Sequence, residues 1–230
     1  MSTFKVVIPA RYASERLPGK PLRDINGTPM IEHVYRRARE SRADEVIVAT
    51  DDERIAGVVS DFGGTACMTA HDHSSGTERL AEVCAINGWD DDVCVVNLQG
   101  DEPLMPAELI DQCAGLLADR RVQIATLASA FANAEDFKNP NIVKVVCAGN
   151  GNALYFSRAP IPHARDASES KLAVATALQH HGIYGYRVAV LRQLVATEAV
   201  ALEQTERLEQ LRALHLGMTI RVGKPRSRPG

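Results

Sequence analysis

Val93-Cys-Val-Val-Asn-Leu-Gln-Gly-Asp-Glu-Pro103 decides the architecture. Its first half is a short, unbroken apolar run, and its second half turns abruptly into amide, glycine and carboxylate. An apolar run with no polar alternation, too short for a helix, predicts a strand buried on both faces. The same pattern occurs at Phe4-Lys-Val-Val-Ile8, closed by Pro9, and at Glu45-Val-Ile-Val-Ala-Thr50. Shorter strands are predicted up to Met68 and over Gln123–Leu127. Helical signals fall between them. Thr28-Pro29 predicts an N-cap and first-turn proline for a helix to about Ser41. Asp51-Asp52 opens a helix through Phe62, stopped by Gly63-Gly64. Ser75-Gly-Thr-Glu78 reads as a capped start, with Leu80, Val83, Cys84 and Asn87 at helical spacing, and Pro106 opens a helix to about Ala118. Strands and helices alternating in this way predict an α/β fold with a doubly wound, mostly parallel sheet.

The rhythm changes after about Phe131. Gly149-Asn-Gly-Asn152 lies between Val143–Val146 and Ala153–Phe156, which reads as a hairpin. His181-Gly-Ile-Tyr-Gly-Tyr-Arg187 reads as a further strand, and Ala201–Leu216 as one periodic helix. Residues 131–200 are therefore expected to form a small mixed-sheet lobe within a single domain spanning 1–222. The stretch Gly223-Lys-Pro-Arg-Ser-Arg-Pro-Gly230 is expected to be a disordered tail.

In open α/β sheets ligands sit beyond the carboxyl ends of the strands, and three polar segments fall there. Pro9-Ala-Arg-Tyr-Ala-Ser-Glu-Arg-Leu-Pro-Gly-Lys-Pro21 gathers Arg11, Arg16 and Lys20 on one loop with Ser14. So many cations so close together suit a polyphosphate, although neither the Walker nor the G-x-G-x-x-G pattern is present. In Gln99-Gly-Asp-Glu102 the natural ligand for a hard cation is Asp101; alone, an acidic strand end is more often a helix cap. His71-Asp-His-Ser-Ser-Gly-Thr-Glu-Arg79 carries two histidines, a weak metal signal, and a helix start whose backbone N–H groups suit a nucleotide.

Bulk properties exclude several classes. A formal net charge of -3 over 230 residues gives no footprint for nucleic acid or an anionic membrane. No run approaches the roughly 18–20 apolar residues of a membrane-crossing helix. Cys67, Cys84, Cys94, Cys113 and Cys147 are odd in number and widely spaced, which suits reduced thiols in a cytoplasmic protein.

The runs Pro9–Pro21, Asp72-His-x-Ser-Gly-Thr-Glu-Arg-Leu80, Gln99-Gly-Asp-Glu-Pro103, Ala153-Leu-Tyr-Phe-Ser-Arg158 and His180-x-Gly-Ile-Tyr-Gly-Tyr-Arg187 resemble those of the 3-deoxy-manno-octulosonate (KDO) cytidylyltransferases, the CMP-KDO synthetases. The resemblance runs in order over residues 4–222. It implies a nucleotide-diphospho-sugar transferase fold and a Mg²⁺-dependent reaction of CTP with KDO, giving CMP-KDO and diphosphate for lipopolysaccharide synthesis. It also implies a homodimer. Carried over residue by residue, Arg11, Arg16, Lys20 and Asp101 are the catalytic set, with Asp101 the Mg²⁺ ligand. Pro9, Ala10, Arg11, Ser14, Lys20, Ser75, Thr77, Arg79 and Gln99 hold the nucleotide. Gln99, Arg158, His180, Tyr184, Glu209 and Gln210 hold the sugar.

One departure stands out. The family continues with a Gly-Val-Asp-Thr-Pro-Glu-Asp-Leu type of segment carrying a second metal carboxylate, and here no acidic residue follows Glu209. A chain of these 230 residues is therefore expected to bind CTP and turn over poorly. Two other readings stay open at this point: a cytidylyltransferase for 8-amino-KDO or sialic acid, and a chain that binds CTP without turnover.

Overall fold

The computed structural model describes residues 3–13, 17–166, 168 and 170–227. The chain begins with β1 (Phe4–Pro9), a basic loop, a 3-10 turn at Lys20–Leu22, and a small hairpin of β2 (Asp24–Ile25) and β3 (Thr28–Pro29). There follow α1 (Met30–Arg39), β4 (Glu45–Thr50), α2 (Glu53–Asp61), β5 (Ala66–Met68), α3 (Gly76–Ile86), β6 (Cys94–Asn97), α4 (Ala107–Leu116) and β7 (Ile124–Ala130). The second half holds α5 (Ala134–Lys138), β8 (Lys144–Cys147), β9 (Ala153–Ser157), α6 (Ser170–Thr176), β10 (Leu178–Arg187), α7 (Val188–Val195), α8 (Ala201–Glu206), α9 (Gln210–His215) and β11 (Ile220–Gly223).

The main sheet runs β11-β7-β10-β6-β1-β4-β5. β4, β1, β6 and β5 are mutually parallel along this path, and β11 is parallel to β7. β10 is antiparallel to both of its neighbours. The fully buried strands work because each face is covered. Phe4, Val6 and Ile8 pack with Ile31, Val34, Ile55 and Leu109 from α1, α2 and α4 on one face. Val7 and Val95 pack with Leu80, Val83, Leu191 and Leu211 from α3, α7 and α9 on the other. Two-sided burial is the physical cause of the unbroken apolar runs. The lobe is continuous with this sheet, because β10 extends past β6 and pairs with β8, which pairs with β9.

Three local expectations are corrected. Thr28-Pro29 does not cap a helix directly: both residues form β3, and Pro29 alone precedes α1. The cause is a hairpin turn at Asn26-Gly27, both at positive φ, with the Gly27 N–H donating to Asp24 Oδ1 at 2.9 Å. The helix expected over Ala201–Leu216 is two helices, broken where Arg207 adopts a left-handed conformation at φ 52°. The expected tail is ordered in part. Gly223 closes β11, and Gln112 of α4 donates to the Lys224 carbonyl and accepts from the Arg226 N–H.

Candidate active site

β1, β4, β5 and β6 end on the same edge of the sheet, and a cleft of about 300 Å³ opens beyond them. Pro9, Ala10 and Arg11 leave β1 into one wall. Lys20 and Pro21 enter from the basic loop, Ser75, Gly76 and Arg79 from the start of α3, and Gln99, Gly100 and Asp101 from the end of β6. Residues more than eighty positions apart thereby converge: Lys20 Nζ lies 2.6 Å from Asp101 Oδ2. Both side chains are partly open to solvent, at 36% and 49% exposure, so each is free to exchange its partner for a ligand.

The walls are set by backbone. A Cβ on Gly100 would lie 2.9 Å from the Pro9 carbonyl oxygen, closer than such contacts allow, so only glycine lets the β6 exit approach the β1 exit. Gly100→Ala is expected to push these walls apart and weaken CTP binding about tenfold, near 1.4 kcal/mol, as read by calorimetric titration. An affinity within twofold of the parent would show that the contact does not shape the cleft. The basic loop is closed by the Gly19 N–H, which donates to the Tyr12 carbonyl at 2.9 Å. The Arg54 guanidinium carbon sits 3.4 Å from the centre of the Tyr12 ring, a cation–π stack. Ser14 and Arg16, expected at the phosphates, lie outside the described residues.

At α3, the Ser75 hydroxyl accepts from the Glu78 N–H as the N-cap. Arg79 is 3% exposed, bonded to Thr69 Oγ1 and, at 3.2 Å, to Asp51 Oδ2, which fixes its guanidinium at the cleft floor. Thr77 does not line the cleft. It is buried behind it at 2% exposure, with its hydroxyl on Glu209.

A second cavity, of about 330 Å³, is bordered by Gly182. Tyr184 pairs in register with Asn97, so the first half of β10 projects beyond β6, and a Cβ on Gly182 would lie 3.7 Å from Cγ of Gln99, which lines the first cleft. His180, Tyr184 and Gln210 line this cavity, together with Asn141, Gln179 and Leu208. His180 Nε2 bonds Thr126 Oγ1 at 3.1 Å, and burial followed by neighbouring His181 pushes its pKa down to about 3, so the ring is neutral near pH 7. Tyr184 is 9% exposed, and its hydroxyl is buried with no hydrogen-bond partner among the described residues. A buried hydroxyl left unpaired is costly.

Three of the expected sugar residues do not line this cavity, Gln99 lining the first cleft instead. Arg158 spends its guanidinium on the carbonyls of Glu206, Pro140 and Arg207, which ties the cavity's rim together from behind. Glu209 turns its carboxylate to Ser75 and Thr77.

A family model described as cytidylyltransferase matches residues 5–220. A solved structure of CMP:2-keto-3-deoxy-manno-octonic acid synthetase complexed with CTP is 45% identical, covering 97% of this chain and 90% of that one, with a TM-score of 0.89. The chain belongs to the cytidylyltransferase family, in its CMP-KDO synthetase branch. A cytidylyltransferase from Leptospira borgpetersenii serovar Hardjo-bovis (strain JB197) shares the fold at a TM-score of 0.62 and 15% identity, covering 98% of this chain and 77% of that one. The chain is thus a nucleotidyltransferase by family, and its expected α/β fold with a mostly parallel sheet is the one observed.

Sequence reasoning missed several residues of this cytidylyltransferase's cleft. Pro21, His73, Ser74 and Gly76 all line it. Ser74 and Gly76 were findable, since they flank the residue already assigned to cap α3. His73 was not, because its partners Glu78 and Glu82 come from the following helix at no recognisable spacing. The His71 and His73 pair forms no metal centre: His71 turns to Asp51, and among the described residues no cluster of three His, Cys, Asp or Glu side chains is poised to hold a metal.

Proposed function

We propose that this cytidylyltransferase joins CTP to KDO, releasing diphosphate and forming CMP-KDO, with Mg²⁺ at Asp101. The observation that carries this reading is the adjacency of two cavities, Gly182 of the second lying beside Gln99 of the first, one with a cation and a carboxylate at its mouth and one walled by neutral polar and apolar side chains. The relative solved with CTP, aligned over nearly the whole chain, supports the first cavity as the nucleotide site. Gln179, His180 and Gln210 in its wall support a polar occupant of the second.

The chemistry follows from the residues. Arg11 and Lys20 neutralise charge on the triphosphate and stabilise the leaving diphosphate. Gln99 stands between the nucleotide and the sugar, suited to hold the anomeric hydroxyl in line with the α-phosphorus. The Asp101 carboxylate fits a hard cation that takes one or two carboxylates and completes its shell from phosphate oxygens. Mg²⁺, when bound, supplies Lewis-acid polarisation of the α-phosphate. Burial, and then repulsion from Asp101, raises the Glu102 carboxyl above its usual range, opposed by Lys20. No covalent enzyme intermediate is required.

The same reading puts the protein in the cytoplasm as a homodimer that feeds lipopolysaccharide synthesis. Free thiols at all five cysteines support the compartment. The exposed Leu154 and Leu172 of the lobe, at 62% and 63%, support a subunit contact there. No helix among the described residues is long and apolar enough to cross a membrane.

The test is diphosphate release from CTP by the purified chain with Mg²⁺ and, in parallel, KDO, 8-amino-KDO or sialic acid. Release fastest with KDO supports the reading, and release fastest with another acid reassigns the substrate. Tyr184→Phe sharpens it: deleting an unpaired hydroxyl is expected to leave the melting temperature within about 2 °C while raising the KM for KDO about tenfold. An unchanged KM would place the sugar elsewhere.

A further inference from the structure

Glu209 stands where the two cavities meet. Its neighbours in sequence, Leu208 and Gln210, line the second cavity. Its own carboxylate turns the other way: Oε1 accepts from Ser75 Oγ at 2.9 Å and Oε2 from Thr77 Oγ1 at 2.7 Å. Those hydroxyls flank Gly76 in the first turn of α3, and Ser75 and Gly76 form the lip of the nucleotide cleft.

An ionised carboxylate only accepts hydrogen bonds. Glu209 therefore fixes both hydroxyl protons toward itself and fixes the rotamers of Ser75 and Thr77 with them. Arg212, the basic residue within the following helical turn, is committed elsewhere, with Nε and Nη2 on Glu203 at 2.8 and 2.6 Å and Nη1 on the Leu194 and Thr197 carbonyls. The hold of Glu209 on α3 is thus its main polar engagement. Burial raises its carboxyl above the usual range, opposed by the Thr77 and Ser75 hydroxyls and by Arg212.

We propose that Glu209 is a positioning residue that couples the two cavities, clamping the nucleotide lip of α3 from the turn that bounds the sugar cavity. This rests on the second cavity being the KDO site. A sugar held against Leu208 and Gln210 immobilises the turn that carries Glu209, and so pre-orders the Ser75–Thr77 lip for CTP. By linkage, CTP improves KDO binding by the same factor.

The test is calorimetric titration of the full chain with CTP in the absence of Mg²⁺, with and without saturating KDO. In the parent, KDO is expected to tighten CTP about fivefold or more. In Glu209→Ala, CTP alone weakens about tenfold and the KDO enhancement falls within about twofold of none. Glu209→Gln keeps one acceptor oxygen and the volume of the side chain, so it falls between the two and carries the test if the alanine variant folds poorly. Enhancement that persists undiminished in both variants, or is missing from a parent that does bind KDO, overturns the proposal. So does weakened KDO binding with CTP unchanged, which would make Glu209 a sugar ligand. If KDO gives no heat with the parent, the sugar assignment itself fails. The CTP arm then decides the clamp alone, with tenfold weakening upholding it and unchanged affinity refuting it.

Discussion

Asp101→Ala is expected to lower kcat for diphosphate release about 10³-fold while leaving the melting temperature within about 2 °C. The two halves of this result have different origins. Asp101 is half exposed at the end of β6, and its ion pair with Lys20 is open to solvent. Such pairs contribute about 0–1 kcal/mol to stability, so the fold barely registers the loss. The reaction loses the carboxylate proposed to hold the cation at the α-phosphate, and with it both alignment and charge stabilisation. Losing one preorganised electrostatic contact of this kind costs about 10²–10³ in rate, and the lost alignment brings the total toward the upper end. CTP binding without Mg²⁺ should hold or tighten slightly, because Lys20 is released to the phosphates. Stopped-assay turnover and calorimetry on the same preparation separate these effects. A variant that keeps more than a tenth of the parent's kcat would remove Asp101 from the chemistry.

Lys144→Met is expected to have the largest effect on stability, about 3 kcal/mol, or roughly 10 °C in melting temperature for a domain of this size. Lys144 is fully buried on β8. Its ammonium donates to three backbone carbonyls, of Asn139 at 2.7 Å, Ile142 at 2.8 Å and Arg158 at 2.7 Å. The nearby acid, Glu206, is bonded to the Ser157 hydroxyl and the Arg158 N–H. The cation is therefore solvated by main chain, and burial followed by the Arg158 charge lowers its pKa below the usual lysine value. Methionine fills most of the space but leaves three carbonyls without a donor, each costing about 1–3 kcal/mol if none relaxes to water. The same change frees the 139–142 segment at the edge of the second cavity, so the KM for KDO should rise more than that for CTP. Thermal denaturation that leaves the transition unmoved would show that these carbonyls are satisfied by other means.

Where burial alone decides the structure, the sequence spoke clearly. β1, β4 and β6 are apolar without alternation because helices cover both faces, and that pattern depends on no distant partner. The polar runs after Pro9 and Asn97 were equally legible as strand ends, and they meet in one cleft at Lys20 and Asp101. Breaks imposed by tertiary contacts were not legible. Nothing in the periodicity of Ala201–Leu216 marks Arg207 as left-handed, since no glycine is there. The carbonyls exposed by the break, at Glu206 and Arg207, are capped by Arg158 from β9's end, some fifty residues earlier. Arg158, which the resemblance assigns to the sugar pocket, braces that cavity's rim through the same contacts. Glu209 follows this logic, because its partners Ser75 and Thr77 lie more than 130 positions away. The walls of the second cavity at Asn141–Val143 carry no chemical signature at all, being shaped by Lys144 beneath them.

The most direct measurement is a crystal structure of the chain with CTP bound. The triphosphate is expected between Arg11 and Lys20, with Lys20 drawn off Asp101 and the nucleoside against Ser75 and Gly76. CTP bound away from this cleft, with the Lys20–Asp101 pair still closed at about its present 2.6 Å, would contradict the account.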